Sequence, residues 1–245
     1  NWQQSFGDWT LGAAANFAYN RNEILNLGEV DEMINDYYIN RVGAPYNSYY
    51  TYVVDGIFRS DEEAAAYQEK YGNPFKSDFK AGDFKFRDVD GNGQLTSNDK
   101  DLVGTNQPDF TYGISFNASW KNFDMAVMGQ GVTGTRRYFT EQVVGDFKGD
   151  VSQPSTAWLD AWSEENPDGS FPRPTEGTSS PNHQSTRSSF WCFDTDYFRV
   201  KNLQVGYTFP SAWLSRLGIS HARLYYSGEN LFTFDNLPVD IDPES

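Results

Sequence analysis

The sequence predicts an all-β fold of long antiparallel strands joined by very unequal loops, and three observations predict it. Phe, Tyr and Trp make up 17% of the 245 residues, a bias toward side chains that suit a pleated, half-buried surface. Helix-period apolar segments are scarce, while several runs alternate residue by residue between apolar and polar, the period of a strand. The connections between those runs range from the dipeptide Lys121-Asn122 to the whole stretch 134–196.

The first alternating run is Trp9 to Asn20. Trp9, Leu11, Ala13, Ala15, Phe17 and Tyr19 share one parity, and Thr10, Gly12, Ala14, Asn16, Ala18 and Asn20 the other. Successive side chains of a strand project to opposite faces, so one face is apolar. Aromatics at both ends with small residues between them suit the girdles of a membrane strand. Between 41 and 86, Tyr46, Tyr49, Tyr50, Tyr52, Val53 and Val54 suggest a strand, and Asp61 to Tyr67 a short helix with acids in its first turn. This region reads as an ordered external loop or a strand with insertions.

From Asp109 to Lys121 the apolar parity is Phe110, Tyr112, Ile114, Phe116, Ala118 and Trp120. Its length suits the roughly 9–11 residues of a transmembrane strand, but a sandwich strand alternates in the same way. Lys121-Asn122 reads as a tight turn into Phe123, Met125, Val127, Gly129 and Gly131, which makes a long hairpin. The stretch 145–196, with one helix expected over 156–163, is too aromatic for a disordered linker. Arg199, Lys201, Leu203, Val205, Tyr207 and Phe209 form one parity of a strand ending at Pro210. Residues 211–218 have room for only a short helical turn, and 221–232 form a further strand. Short turns on one side and long loops on the other are the layout of an antiparallel transmembrane β-barrel. A soluble sandwich has less reason to sort its loops this way.

Composition removes other classes. Nineteen Lys and Arg against 34 Asp and Glu give a net charge of −15 and a pI near 4.4. Without a basic cluster there is no footprint for nucleic acid. A mean hydropathy of −0.66, with no apolar run near ~18 residues, leaves no transmembrane helix, but does not touch a barrel, whose strands average to hydrophilic. The single cysteine, Cys192, forms no internal disulfide, and its neighbours Trp191 and Phe193 suggest a packed thiol. His183, in a polar loop, reads as solvated. Acidic pairs such as Glu62/Glu63 and Glu164/Glu165 are what an acidic surface supplies by chance, so no catalytic residue is assigned.

One motif carries definite chemistry. Asp88-Val89-Asp90-Gly91-Asn92-Gly93-Gln94-Leu95-Thr96-Ser97-Asn98-Asp99 has the spacing of a twelve-residue calcium loop, with oxygen ligands at 1, 3, 5 and 12, glycine at 6 and an apolar residue at 8. Calcium takes six to eight hard oxygens, and this spacing gathers Asp88, Asp90, Asn92, the carbonyl of Gln94 and Asp99 around one point. Asp at position twelve, in place of a bidentate Glu, and an extended Asp83–Arg87 flank indicate a structural Ca2+ ion and not a switch. Without metal the same residues would form an Asx-rich turn. A second cluster of planar side chains, Trp158, Trp162 and Trp191, offers faces for sugar rings or, equally, a core for the loop that contains it.

Several blocks together resemble the SusC/RagA family of TonB-dependent outer-membrane transporters of Bacteroidetes. They are Ala81-Gly82-Asp83-Phe84-Lys85-Phe86-Arg87-Asp88 leading into Asp90-Gly91-Asn92-Gly93, Gly104 with Pro108-Asp109-Phe110-Thr111-Tyr112-Gly113, and Lys121-Asn122-Phe123-Asp124 with Gln130-Gly131. Tyr197-Phe198-Arg199-Val200-Lys201-Asn202-Leu203, Gly206-Tyr207-Thr208-Phe209-Pro210 and Gly228-Glu229-Asn230-Leu231-Phe232 followed by Asp242-Pro243-Glu244 complete the series. The resemblance implies that residues 1–245 are the C-terminal part of a 22-stranded barrel, with a calcium-type insertion at 81–104 and a long external loop at 134–196. It implies that the plug and TonB box lie outside this chain, as does a last strand beyond Ser245, and that the chain is a piece of something longer. It further implies an outer-membrane location in contact with lipid, a SusD-like surface lipoprotein as partner, coupling to TonB, and import of an oligosaccharide or peptide. Polar-parity residues such as Thr111, Ser115, Asn117 and Asn202 would then face the lumen. A second reading from the residues is a secreted, calcium-stabilised β-sandwich that binds glycans, and a weaker third is a glycoside hydrolase.

Overall fold

The computed structural model describes residues 1–139, 154–175, 180–238 and 241–244. The fold is all-β and antiparallel, and the chain divides into two compact units. The first comprises 1–21, 107–135 and 195–236. It is a six-stranded sheet in the order β1 (Trp2–Phe6), β2 (Trp9–Tyr19), β9 (Phe110–Trp120), β10 (Phe123–Thr133), β13 (Tyr197–Thr208) and β14 (Arg223–Asp235). β1 and β14 are its edges.

Connectivity in this sheet is sorted by end. Gly7-Asp8 joins Phe6 to its partner Trp9, Lys121-Asn122 joins Trp120 to Phe123, and 209–222 join β13 to β14 through a helical turn at Ser211–Leu214. All three lie at the Trp9/Trp120/Phe123/Tyr207 end. The long excursions 20–109 and 134–196 leave from the other end, where Tyr19 pairs with Phe110 and Val132 with Tyr197. Lys121 takes φ = 52° to close its two-residue turn.

The expected parity of β13 fails at one point. Arg199 pairs with Gln130 and Thr233 on the polar face, while Leu203, Val205 and Tyr207 lie on the apolar face. The cause is a β-bulge at Lys201: Val200 opposes Gly129 and Asn202 opposes Met128, so one residue is left over and the alternation slips. The final strand also begins and ends later than expected, and β1 has no alternation long enough to read from sequence.

The second unit comprises 22–106, 136–194 and 237–245. The described parts of 81–104 and of 134–196 share one core. That core includes Tyr49, Phe58, Tyr67, Phe79, Phe84, Phe86, Leu95, Phe171 and Trp191. A four-stranded sheet contains β3 (Glu32–Asn35), β4 (Tyr38–Arg41), β5 (Ser48–Tyr52) and β8 (Lys100–Gly104). Two small ribbons pair β6 (Val54–Ile57) with β7 (Phe84–Phe86) and β11 (Arg136–Tyr138) with β12 (Cys192–Asp194).

The helix α1 (Asp61–Tyr71) begins at a cap readable in the sequence. The Glu63 N–H donates to Ser60 Oγ (3.2 Å), and Glu63 Oε2 accepts from the Arg59 N–H (2.9 Å). These contacts satisfy donors that the first turn leaves open. The helix expected over 156–163 is a 3-10 turn, Thr156–Asp160.

Candidate functional site

The chemistry of the first unit lies in its two unlike faces. On one face, register sets Trp9, Trp120, Phe123 and Tyr207 in a row across four strands, with successive ring centroids 5.7, 6.2 and 4.7 Å apart. Near the opposite end Tyr19 lies on Phe110 at 4.8 Å, and Tyr112, Phe198 and Phe234 form a second row. Between the rows stand Leu11, Phe116, Ile114, Val127, Leu203 and Val205. Tyr112 and Phe198 pass over glycines: a Cβ at Gly131 would strike the Tyr112 ring, and one at Gly129 the Phe198 ring. The apolar face is open to its surroundings, with Phe17 79%, Ile114 51% and Phe232 61% exposed.

Such a contiguous apolar surface marks a membrane or partner contact. Trp9 and Tyr19 are ten residues apart, about 33 Å at ~3.3 Å per residue, which a tilt of about 40° projects to ~25 Å. That is the height of the apolar band of an outer-membrane strand. The other face presents Asn16, Thr111, Ser115, Asn117, Gln130, Asn202 and Gln204, with an ion pair between Arg223 and Asp124.

In the second unit, three of the five residues assigned to the calcium-type loop converge. Carboxylate oxygens of Asp88, Asp90 and Asp99 lie within 4.8 Å of one another. Asp99 is fully buried and holds the loop closed: its Oδ1 accepts from the Val89 N–H (2.8 Å) and its Oδ2 from the Thr96 N–H (2.6 Å). Asp88 Oδ2 accepts from the N–H of Gly93 at 2.8 Å, where φ = 81° makes the turn glycine necessary. Asn92 is tied to Asp90 through its amide (2.9 Å), and Gln94 donates its N–H to Asn92 Oδ1 (2.7 Å). Leu95 plugs into the core at 4% exposure, and its N–H bonds the Tyr71 carbonyl at the end of α1. Three carboxylates at this spacing repel one another, and a hard cation among their oxygens relieves that repulsion. The donor set therefore fits calcium.

The three tryptophans do not form an open platform. Trp191 is 1% exposed, donates Nε1–H to the Asn182 carbonyl (3.2 Å) and packs edge-on to Phe190 at 5.0 Å. It belongs to the core, which corrects its assignment to substrate. Trp158 is half-buried against Phe171 and Trp191. The Trp162 ring lies on Gly82, where a Cβ would come within 2.6 Å. His183, expected in solvent, is 3% exposed, and its Nδ1 accepts from the Ser185 N–H. Cys192 is a packed thiol as expected, and burial pushes its pKa up to about 12.

Sequence reasoning missed a buried clasp beside this core. Asp83, with no exposed surface, accepts from Arg173 Nε at 2.7 Å, Asn182 Nδ2 at 2.9 Å and the Lys80 N–H at 2.9 Å. Burial raises its carboxyl above the ordinary range, while Arg173 and these donors pull it back. The partners are some ninety residues apart in the chain, so no local pattern announces them.

No protein-family model matches the chain. Among curated proteins it is 29% identical over 250 residues to TonB-dependent receptor P3 of Formosa agariphila, an alignment covering 97% of this chain and 23% of that receptor. It is 23% identical to the TonB-dependent receptor SusC of Bacteroides thetaiotaomicron, over 97% of this chain and 22% of SusC. Among solved structures it matches the RagAB peptide transporter with a TM-score of 0.70 and 24% identity, over 99% of this chain and 25% of that one. The RagAB peptide importer in its closed-closed state gives 0.67 and 25%, over 99% and 26%. By sequence over nearly its whole length and by fold, the chain is a homologue of the SusC/RagA-type TonB-dependent receptors and spans about a quarter of their length.

Proposed function

We propose that the chain is the C-terminal barrel portion of a TonB-dependent transporter, and that the whole protein imports an oligosaccharide or a peptide across the outer membrane together with a SusD-like surface lipoprotein. The observation that carries this reading is the open apolar face of the six-stranded sheet, bounded by aromatic rows about one bilayer apart. A glycan-binding sandwich would cover such a face with a second sheet, and among the described residues the first unit has only one. Charge supports the same reading. The first unit carries the acids Asp8, Asp109, Asp124, Asp196, Glu229 and Asp235 against the bases Arg21, Lys121, Arg199, Lys201, Arg216 and Arg223, so the net −15 resides wholly in the second unit. A neutral sheet costs less to place in lipid. RagAB, which the chain resembles in fold, is a peptide transporter, which keeps a peptide beside an oligosaccharide as cargo.

We further infer that the loop from Asp88 to Asp99 holds one structural calcium ion, with Asp88, Asp90, Asn92, the Gln94 carbonyl and Asp99 as ligands. The ion's role is to fix the loop between α1 and β8.

The function is tested on the full-length protein by membrane fractionation and cargo uptake with and without TonB. The expected outcome is an outer-membrane protein that needs detergent for extraction, copurifies with a surface lipoprotein and loses uptake when TonB is deleted. A full-length protein that is monomeric in buffer without detergent sinks the reading.

A further inference from the structure

The second unit contains a cleft of about 360 Å³ whose charge runs against that of the unit around it. Its walls include Tyr52, Pro74 and Phe75, and it gathers Lys76, Lys100 and Arg187 against a single acid, Asp36. Asp36 is already engaged: its carboxylate accepts from Arg187 Nη2 at 2.7 Å and Nε at 3.2 Å. The Arg187 guanidinium also stacks over the rings of Tyr37 and Tyr138, at 4.5 and 5.6 Å from their centroids, so it is fixed in place. Lys100 opens β8 directly across from Tyr52, and its ammonium stands 5.2 Å from the Tyr52 ring centre. It is half-buried, and among the described residues no carboxylate lies within 4.0 Å of its nitrogen or of that of Lys76.

In a unit where acids outnumber bases by fifteen, two lysines converging on one cleft without an acidic partner form a locally positive site. An ammonium that has lost part of its water gains from a bound anion. The walls fix the rest of the chemistry, since Tyr52, Pro74 and Phe75 offer flat apolar surface to the body of a ligand, with Ser185 and Thr186 as hydroxyls at the rim. We propose that this cleft binds a carboxylate group of the imported cargo, seated against Lys100 and Lys76 with the ligand's body on Tyr52, Pro74 and Phe75. This rests on the import reading above and narrows its cargo to one that carries a carboxylate, either a uronic-acid saccharide or the C-terminus of a peptide.

The test is equilibrium binding to the full-length protein in detergent at low salt, a readout independent of TonB and of uptake. The probes are an oligogalacturonate with its carboxyl-reduced counterpart, and a short neutral peptide with a free or an amidated C-terminus. The expected result is that one carboxylate probe binds at least tenfold more tightly than its neutral counterpart, that the advantage shrinks as salt rises, and that Lys100→Met removes it. The pair that shows the advantage identifies the source of the carboxylate. Lys76→Ser, at an exposed position, is expected to weaken binding about threefold or more, and it decides the matter if Lys100→Met fails to fold. Equal affinity within both pairs, absence of binding by all four probes, or an advantage untouched by both substitutions overturns the site. Failure of uptake with carboxylate binding intact would count instead against the transport reading.

Discussion

Asp99 shows how much one side chain can decide. It is the twelfth residue of the calcium-type loop, has no exposed surface, and bonds the backbone at both ends of that loop. Asp90, by contrast, is exposed, and among the described residues its carboxylate bonds only Asn92. Removing Asp90 therefore removes a proposed ion ligand while leaving most of the loop's own hydrogen bonds. In wild-type full-length protein, adding EGTA is expected to expose 88–99 to limited proteolysis; in Asp90→Ala the loop should be cut readily whether or not calcium is present. Saturation at about a hundred times Kd would stabilise the closed loop by ~2.7 kcal/mol. An EGTA response identical in the two proteins counts against the ion. The spacing of these carboxylates was legible in the sequence because a twelve-residue loop is local. The burial of Asp99 was not, since it depends on the core that Leu95 and α1 build around it.

At the scale of the element, the bulge in β13 matters most. Lys201 is the extra residue that moves Arg199 onto the polar face, where its Nε bonds Thr233 Oγ1 at 2.9 Å. Deleting Lys201 would remove the bulge and leave Arg199 on the polar face and the Leu203-Val205-Tyr207 set on the apolar face by strict alternation, whereas an arginine at Val200, which opposes Gly129, would stand on the apolar face. An arginine on the lipid side of a barrel costs about 2–4 kcal/mol near the midplane and less toward the rim. Deletion of Lys201 and Lys201→Ala should accordingly both leave the urea midpoint of the full-length protein in detergent nearly unchanged, whereas Val200→Arg should lower it. A deletion as damaging as Val200→Arg would mean that the two ends of β13 do not keep these faces without the extra residue. Alternation alone placed Arg199 on the wrong face because a bulge has no signature in the period-2 pattern. It becomes visible only when the partner strand is in view.

The two units of the molecule divide its chemistry. Among the described residues, every buried apolar residue except Tyr197 and Leu214 belongs to the second unit, which folds about its own aromatic core. The first unit keeps its apolar side chains on an open face, so its stability depends on the medium that covers them. Neighbouring residues on one strand test this. Ile114→Arg, on the apolar face, is expected to reduce folded protein in the outer membrane by the equivalent of about 2–4 kcal/mol, and Ser115→Arg, on the polar face, to have little effect. Heat-modifiable migration on gels reads both, and equal losses at 114 and 115 would rule out a lipid-facing parity.

The sequence by itself determined the long antiparallel strands, the short turn at Lys121-Asn122, the carboxylate spacing of the 88–99 loop and the family resemblance. Each of these is written in local period or local spacing, which the backbone's two-residue and turn geometries read directly. Only the tertiary structure decided that the segments either side of β9 and β10 share a core, that Trp191 and His183 lie inside it, and that Asp83 meets Arg173. The same is true of the meeting of Lys100 with Arg187 in one cleft. These contacts join residues roughly ninety positions apart, and what brings them together is the burial of aromatic surface from distant stretches, for which no short pattern exists.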